Sequence, residues 1–275
     1  MAKSPLKIWL GAKLKHIRHT LSANNNPFFI GYYTYAYRPE PGSISDFFDA
    51  YSKSIPGGLQ VVQIGANDGI THDPIHKFIK RDKWKGVLLE PQPFVHNTYL
   101  KPIYAKNPGI HTLCAAVGDT DTTQTLYKIG FSTMRWATGL ASFDLDNVQK
   151  AFENGLVDTQ CENYGIKIPE TQEERIKSEE VEVIRPETLL NKYSIDHIDL
   201  LQIDCEGYDF EVIKLFNIAK TKPRVIVFEN SHIGDEGSNE CDILLASNGY
   251  QFKNMGPNTL AMKEPLGAFA HWFKA

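Results

Sequence analysis

Cysteine is scarce in this chain, with four among 275 residues: Cys114, Cys161, Cys205 and Cys241. Their wide, uneven spacing excludes a zinc finger, a CxxC redox pair, a compact disulfide framework and a three-cysteine iron–sulfur cluster. Reduced thiols in a cytoplasmic protein are the expectation. No apolar run approaches the roughly 18–20 residues of a membrane-spanning helix. The apolar stretch Ile8-Trp9-Leu10-Gly11-Ala12 is shorter than the roughly 7–15 residues of a signal-peptide core. The dinucleotide fingerprint GxGxxG and the phosphate-binding GxxxxGK[ST] are both missing. No internal repeat or low-complexity tract is found. What is present is ordinary for a globular chain: 42% hydrophobic and 23% charged residues. That balance excludes disordered, collagenous and coiled-coil classes for most of the chain.

Acids are absent from one end. Residues 1–39 hold Lys3, Lys7, Lys13, Lys15, Arg18 and Arg38 and no Asp or Glu. With a net charge of −4 overall, the remainder carries −10. A net negative chain is not expected to be a dedicated nucleic-acid binder. Residues 6–22 read as a basic helix, with Leu10, Leu14, Ile17 and Leu21 at helical spacing. Such a helix either lies on an anionic membrane surface or packs on the domain with its lysines in water. Residues 1–26 are therefore a candidate peripheral membrane or partner contact.

Length alone allows one large α/β domain or two smaller ones. We read residues 1–55 as a basic, aromatic helical extension and residues 56–275 as one domain. Within it, Leu59–Ile64, Gly86–Leu89, Ile110–Val117, Ile198–Ile203 and Val225–Phe228 read as buried strands, with Thr123–Ile129 and Val181–Ile184 as further strands. Helices fall between them. Asp73-Pro74 opens one, because Asp suits an N-cap and Pro lacks an N–H that the first turn does not need. Tyr250–Lys253 and Thr259–Met262 read as a terminal hairpin. Residues 130–180 break the rhythm, are acid-rich from 151 on, and read as an insertion serving as a lid, an acceptor element or solvated loops. Alternating strands and helices imply a mostly parallel sheet, with ligands at the carboxyl ends of its strands.

Those ends carry the candidate chemistry. The first strand runs into Gly65-Ala66-Asn67-Asp68-Gly69, a loop suited to close approach of a ligand. The second ends at Glu90, placed to accept ribose hydroxyls, which does not separate NAD from other adenosine cofactors. The Ile198–Ile203 strand delivers Asp204 and Glu206 to the same crevice. Structural helix capping by these acids is the plainer alternative.

Three segments together resemble one family. Val61-Val62-Gln63-Ile64-Gly65-Ala66-Asn67-Asp68-Gly69, Gly86-Val87-Leu88-Leu89-Glu90-Pro91-Gln92-Pro93 and Leu200-Leu201-Gln202-Ile203-Asp204-Cys205-Glu206-Gly207 are similar to the FkbM family of S-adenosylmethionine-dependent methyltransferases. The resemblance covers roughly residues 59–232. It implies the class I methyltransferase fold, a Rossmann-like seven-stranded, mostly parallel sheet with a C-terminal antiparallel hairpin. It also implies O-methylation, often of sugars or natural products. Carried over by position, Gly65, Ala66, Asn67 and Gly69 would wrap the methionine part of the cofactor. Glu90 would hold the ribose between Pro91 and Gln92, Ala115, Ala116 and Asp119 would lie near adenine, and Asp204 would sit beside the reactive end. The family commonly has an acid where Gln63 stands, so charge pairing to the cofactor's amino group is lost there.

Transfer to a hydroxyl requires removal of its proton. Asp204, His232 and His72 are the candidate bases. Alternatively, Asp204, Glu229 and Asn230 offer three oxygens to a Mg²⁺ ion that would acidify the hydroxyl. No Asn/Asp-Pro-Pro-Tyr/Phe signature of base methylation follows Asp204. Phe131, Trp136, Phe143 and Tyr164 are either sugar-stacking or core residues. The expectation is therefore methylation of a carbohydrate or glycan hydroxyl. A nucleotide-binding oxidoreductase and a degenerate methyltransferase fold acting as a binding module are the competing readings.

Overall fold

Val61, Val62 and Ile64 leave the first strand no side that tolerates water, and it becomes an interior strand of the sheet. The computed structural model describes residues 4–231 and 234–274. Its strands are β1 (Gln60–Ile64), β2 (Lys85–Leu89), β3 (Ile110–Leu113), β4 (Ala116–Val117), β5 (Thr122–Ile129), β6 (Ile176–Ile184), β7 (Leu200–Ile203), β8 (Val225–Glu229), β9 (Tyr250–Met255) and β10 (Asn258–Lys263). Seven form the main sheet, in the order β3-β2-β1-β7-β8-β10-β9. β1 pairs in parallel with β2 on one side and β7 on the other. β10 runs antiparallel to both β8 and β9. The expected hairpin is therefore present, and its second strand is inserted beside β8.

Alternation along the strands sends side chains to two cores. Val62, Ile64, Leu201, Ile203 and Phe228 face Phe210, Ile213 and Leu245. Val61, Leu88, Leu200 and Val227 face Phe47, Phe48, Phe78 and Trp84. Since β1 leads outward to β2 and β3 while β7 continues on its other side, the order switches between β1 and β7. A crevice opens outside the carboxyl ends at such a switch.

Two strand expectations need correction. The Ile110–Val117 region divides: Ile110–Leu113 joins the main sheet, whereas Ala116 and Val117 pair with Val183 and Ile184 of β6. Val181–Ile184 is the end of a nine-residue strand, paired antiparallel with β5 in a separate three-stranded sheet. Residues 130–180 are also more ordered than their sequence suggests. Helices Arg135–Thr138, Leu145–Glu153 and Leu156–Tyr164 enclose a small core of Ile129, Ala137, Val148, Ala151, Val157 and Cys161. Phe131 and Trp136 pack against that core, while Phe143 stays exposed.

The N-terminal segment is fastened to the sheet domain by polar contacts. Lys80 Nζ donates to the Ser22 and Ile103 carbonyls and to Asn25 and Asn107 Oδ1, at 2.5–3.0 Å. Ser22 Oγ lies 3.2 Å from His76 Nε2. The helix thus packs on the domain, with Leu10, Leu14 and Ile17 exposed and Leu21 half-buried.

Candidate functional site

The loop after β1 folds back over β2. Gly65 and Ala66 both donate their N–H groups to the Leu89 carbonyl, at 3.1 and 2.8 Å. Gly65 has φ +79°, and a Cβ there would stand 1.9 Å from the Asp204 carbonyl oxygen. The glycine thus lets the β1 and β7 loops touch. Asn67 follows in the left-handed region at φ 45°. Its N–H donates to Glu90 Oε2 at 3.0 Å, and the Gln92 N–H donates to Glu90 Oε1 at 3.0 Å. Burial pushes the Glu90 pKa up to about 7 despite these bonds. The structure therefore joins Gly65, Ala66, Asn67, Glu90 and Gln92 in one hydrogen-bonded corner.

That corner is covered. Glu90 is only 3% exposed. Helix Arg135–Thr138 lies across it: Gln92 Nε2 donates to the Thr138 carbonyl at 2.8 Å, and Asn67 Nδ2 donates to Thr138 Oγ1 at 3.5 Å. A ribose reaches Glu90 only if this turn moves. Ala115 and Ala116 are buried, Ala116 within β4 of the second sheet, and Asp119 lies exposed beyond it. Between β3 and Ala115, Cys114 Sγ approaches the Pro91 carbonyl at 3.6 Å. Burial, helped by Glu90, pushes this thiol up to about 11, so it is not a thiolate.

Carboxylates cluster at the ends of β7 and β8. Burial pushes the Asp204 pKa up to about 6, with Arg135 opposing and Glu229 and Asp73 adding to the rise. Asp209, fully buried, accepts the N–H groups of Cys205 and Glu229 at 3.1 Å each, tying the two strand ends together. Helix Asp209–Leu215, which follows, has Tyr208 at its N-cap and no side-chain capping bond. Arg135 is the cation of the cluster. Its guanidinium lies 3.8 Å from Asp204 Oδ2 and 3.7 Å from Glu206 Oε1.

Beneath lies a pair of amides. Gln63 and Gln202 are register partners on β1 and β7, and both are buried. Gln63 Nε2 donates to Asp73 Oδ2 at 3.3 Å, and Asp73 Oδ1 accepts the N–H groups of Ile75 and His76; the helix begins only at His76, with Ile75 as its N-cap, later than Asp73-Pro74 suggests. Gln63 Oε1, Gln202 Oε1 and Arg135 Nε are buried with no hydrogen-bond partner. Unsatisfied buried acceptors next to a carboxylate cluster suit a cationic, N–H-bearing ligand. These groups fit a sulfonium cofactor with an amino group.

Other candidates are placed elsewhere. His72 is exposed on the turn before Asp73, at φ 62°, and no contact among the described residues joins it to Asp204. His232 lies outside the described residues. Asn230 turns its amide to Thr259 Oγ1 and Asn254 Oδ1, at 2.9 and 3.2 Å, and so anchors the β9–β10 hairpin. Among the described residues, no group of three His, Cys, Asp or Glu is placed to hold a metal. Arg135, Thr138 and Gln202 are the site residues that the sequence did not single out, and Asp73 was read only as a helix opener. Of the first three, only Gln202 carried a signal, as a polar residue inside an apolar strand.

A search of curated sequences returns no match. Among solved structures, the chain is similar to a methyltransferase FkbM from Methylobacillus flagellatus KT, with 13% identity, a TM-score of 0.44, and coverage of 85% of this chain and 50% of that one. The chain thus spans half the length of that protein. It is also similar to a human methyltransferase 10 domain containing protein, with 12% identity, a TM-score of 0.37, and coverage of 82% and 85%. A precorrin-6y C5,15-methyltransferase from Geobacter metallireducens GS-15 matches with 11% identity, a TM-score of 0.35, and coverage of 80% and 85%. The methyltransferase FkbM domain model matches residues 63–252, about two thirds of the chain, including both loops that build the corner. The protein belongs to the FkbM methyltransferase family.

Proposed function

We propose that the protein is an S-adenosylmethionine-dependent O-methyltransferase whose acceptor is a hydroxyl of a sugar or glycan. The observation that carries this reading is Glu90, held by the Asn67 and Gln92 N–H groups at the end of β2. A carboxylate there retains lone pairs for a vicinal diol of a nucleoside. Family membership supports methyl transfer, and the missing base-methylation signature favours a hydroxyl over a nucleobase.

In this reading, the backbone of residues 65–69 borders the cofactor, Glu90 holds its ribose, and Gln63 Oε1 accepts from its amino group. The bound cofactor supplies an already activated sulfonium methyl group. The chain's residues then align the acceptor and take its proton. Alignment contributes as much as roughly 7–11 kcal/mol in favourable cases. Asp204 is the base, because a pKa of about 6 keeps it ionised yet basic near neutral pH. Glu206 and Glu229 add negative charge beside the transferring group.

Calorimetry with S-adenosylmethionine and with NAD tests the reading. The former is expected to bind, and Glu90→Ala is expected to abolish that binding. Binding of NAD alone would favour an oxidoreductase. Binding of neither would favour a degenerate fold. A labelled-methyl screen against nucleotide sugars and oligosaccharides tests the acceptor class.

A further inference from the structure

Helix Pro5–Ala23 presents its polar side to the protein. Lys15 Nζ lies 2.9 Å from Asp68 Oδ2, His19 Nε2 lies 3.7 Å from the same oxygen, and Ser22 meets His76 and Lys80. Its apolar side faces away. Leu6, Trp9, Leu10, Leu14 and Ile17 are 44–65% exposed. Leu6, Leu10, Leu14 and Ile17 recur at three- and four-residue spacing, with Trp9 beside them, on one stripe opposite Lys15 and Ser22. A surface helix normally does the reverse, and a contiguous exposed apolar stripe marks an interaction surface. The aromatic surface continues after the helix, where Phe28 is 89% and Tyr35 80% exposed.

Charge identifies the occupant. The helix carries Lys7, Lys13, Lys15 and Arg18 and no acid. Lys7, Lys13 and Arg18 are exposed beside the stripe, and Lys13 Nζ stands 5.7 Å from the Trp9 ring. Apolar side chains with an interfacial Trp, flanked by cations and by no acid, match the boundary between headgroups and acyl chains of an anionic bilayer. A second copy of this helix would oppose cation to cation with no acid to meet either. No helix among the described residues is long and apolar enough to cross a membrane, so the contact is peripheral.

We propose that the outward face of helix Pro5–Ala23 docks the protein onto an anionic lipid bilayer. The proposal is independent of the transferase reading, because its readout is binding to lipid. The test is co-sedimentation of the full chain with vesicles of pure phosphatidylcholine and of equimolar phosphatidylcholine and phosphatidylglycerol. The protein is expected to bind the anionic vesicles and leave them as salt rises, since the screening length falls from about 10 Å at 0.1 M to about 3 Å at 1 M. Trp9→Ser with Leu14→Ser, and separately Lys7→Glu with Lys13→Glu, are each expected to weaken binding at least about tenfold. Their circular dichroism and unfolding midpoints should match the parent, so that either pair reads binding if the other fails to fold. Failure to bind anionic vesicles, equal binding to neutral ones, or unchanged binding by both folded variants would overturn it. So would a concentration-dependent dimer that both pairs dissociate, in a parent that ignores vesicles.

Discussion

The backbone N–H of Asn67 donates to Glu90 Oε2 at 3.0 Å, fastening the loop after β1 to the acid at the end of β2. Burial raises the Glu90 pKa from 4.5 to about 7. Between those values the folded protein keeps a proton that the unfolded chain releases. Stability is therefore highest below pH 4.5 as far as Glu90 is concerned, and falls as pH rises towards about 7. A shift of this size corresponds to about 3 kcal/mol. Asp204 and Asp209, each raised to about 6, act in the same direction. Glu90→Gln should reduce the loss of stability between pH 5 and pH 8 in urea unfolding. A variant with the parent's full pH slope would show that Glu90 is not titrating there.

Gly65→Ala tests the contact between loops. An added Cβ meets the Asp204 carbonyl at 1.9 Å, and φ +79° already disfavours alanine. Backbone does not yield as a flexible side chain does, so a loss of more than about 3 kcal/mol is expected by denaturant titration. A loss below about 1 kcal/mol would mean that the β1 and β7 loops separate easily.

Much of this arrangement is legible in the sequence where the signal is local. The apolar run Val61-Val62, the glycine at position 65 and Glu90 directly after Leu89 mark a strand end without reference to anything distant. Arg135 is illegible for the opposite reason. It reaches Asp204 and Glu206 by a chain reversal across about seventy residues, from a segment with no clear period. β6 is half visible because residues 176–180 are largely exposed, whereas Val181, Val183 and Ile184 are buried. Helix Pro5–Ala23 shows its periodicity plainly, yet period alone does not say which side faces the protein. Asp68 and Lys80, which receive its polar side, lie far along the chain.

Asp68→Asn probes that attachment. Asp68 Oδ1 accepts the N–H groups of Ile70 and Thr71, at 3.1 and 2.7 Å, while Oδ2 forms an ion pair with Lys15. Burial would raise its pKa, but the nearby His19 and Lys15 side chains and the Thr71 N–H outweigh burial and hold the carboxyl far below 3.8. A depressed acid lends stability above its unfolded pKa and loses it as pH falls through about 4 and below. The variant should lose about 1–3 kcal/mol at pH 7, the lower part of the buried-pair range because Lys15 is partly solvated. Its stability should also fall less than the parent's on acidification. Faster proteolysis within residues 5–23 would report release of the helix. Parent-like acid sensitivity would deny Asp68 its role.

Arg135→Met addresses the proposed base. The guanidinium opposes the rise in the Asp204 pKa that burial causes. Removing it should let that pKa climb beyond about 6, by up to about one unit for a contact at 3.8 Å. If Asp204 accepts the hydroxyl proton, kcat/KM falls as pH drops through the free enzyme's Asp204 pKa. The acid limb should then lie near pH 6 in the parent and move upward in the variant. Arg135→Lys keeps a positive charge and should restore most of the parent position. An acid limb that stays fixed in both variants would remove Asp204 as the base, and the proton would have to leave by another group.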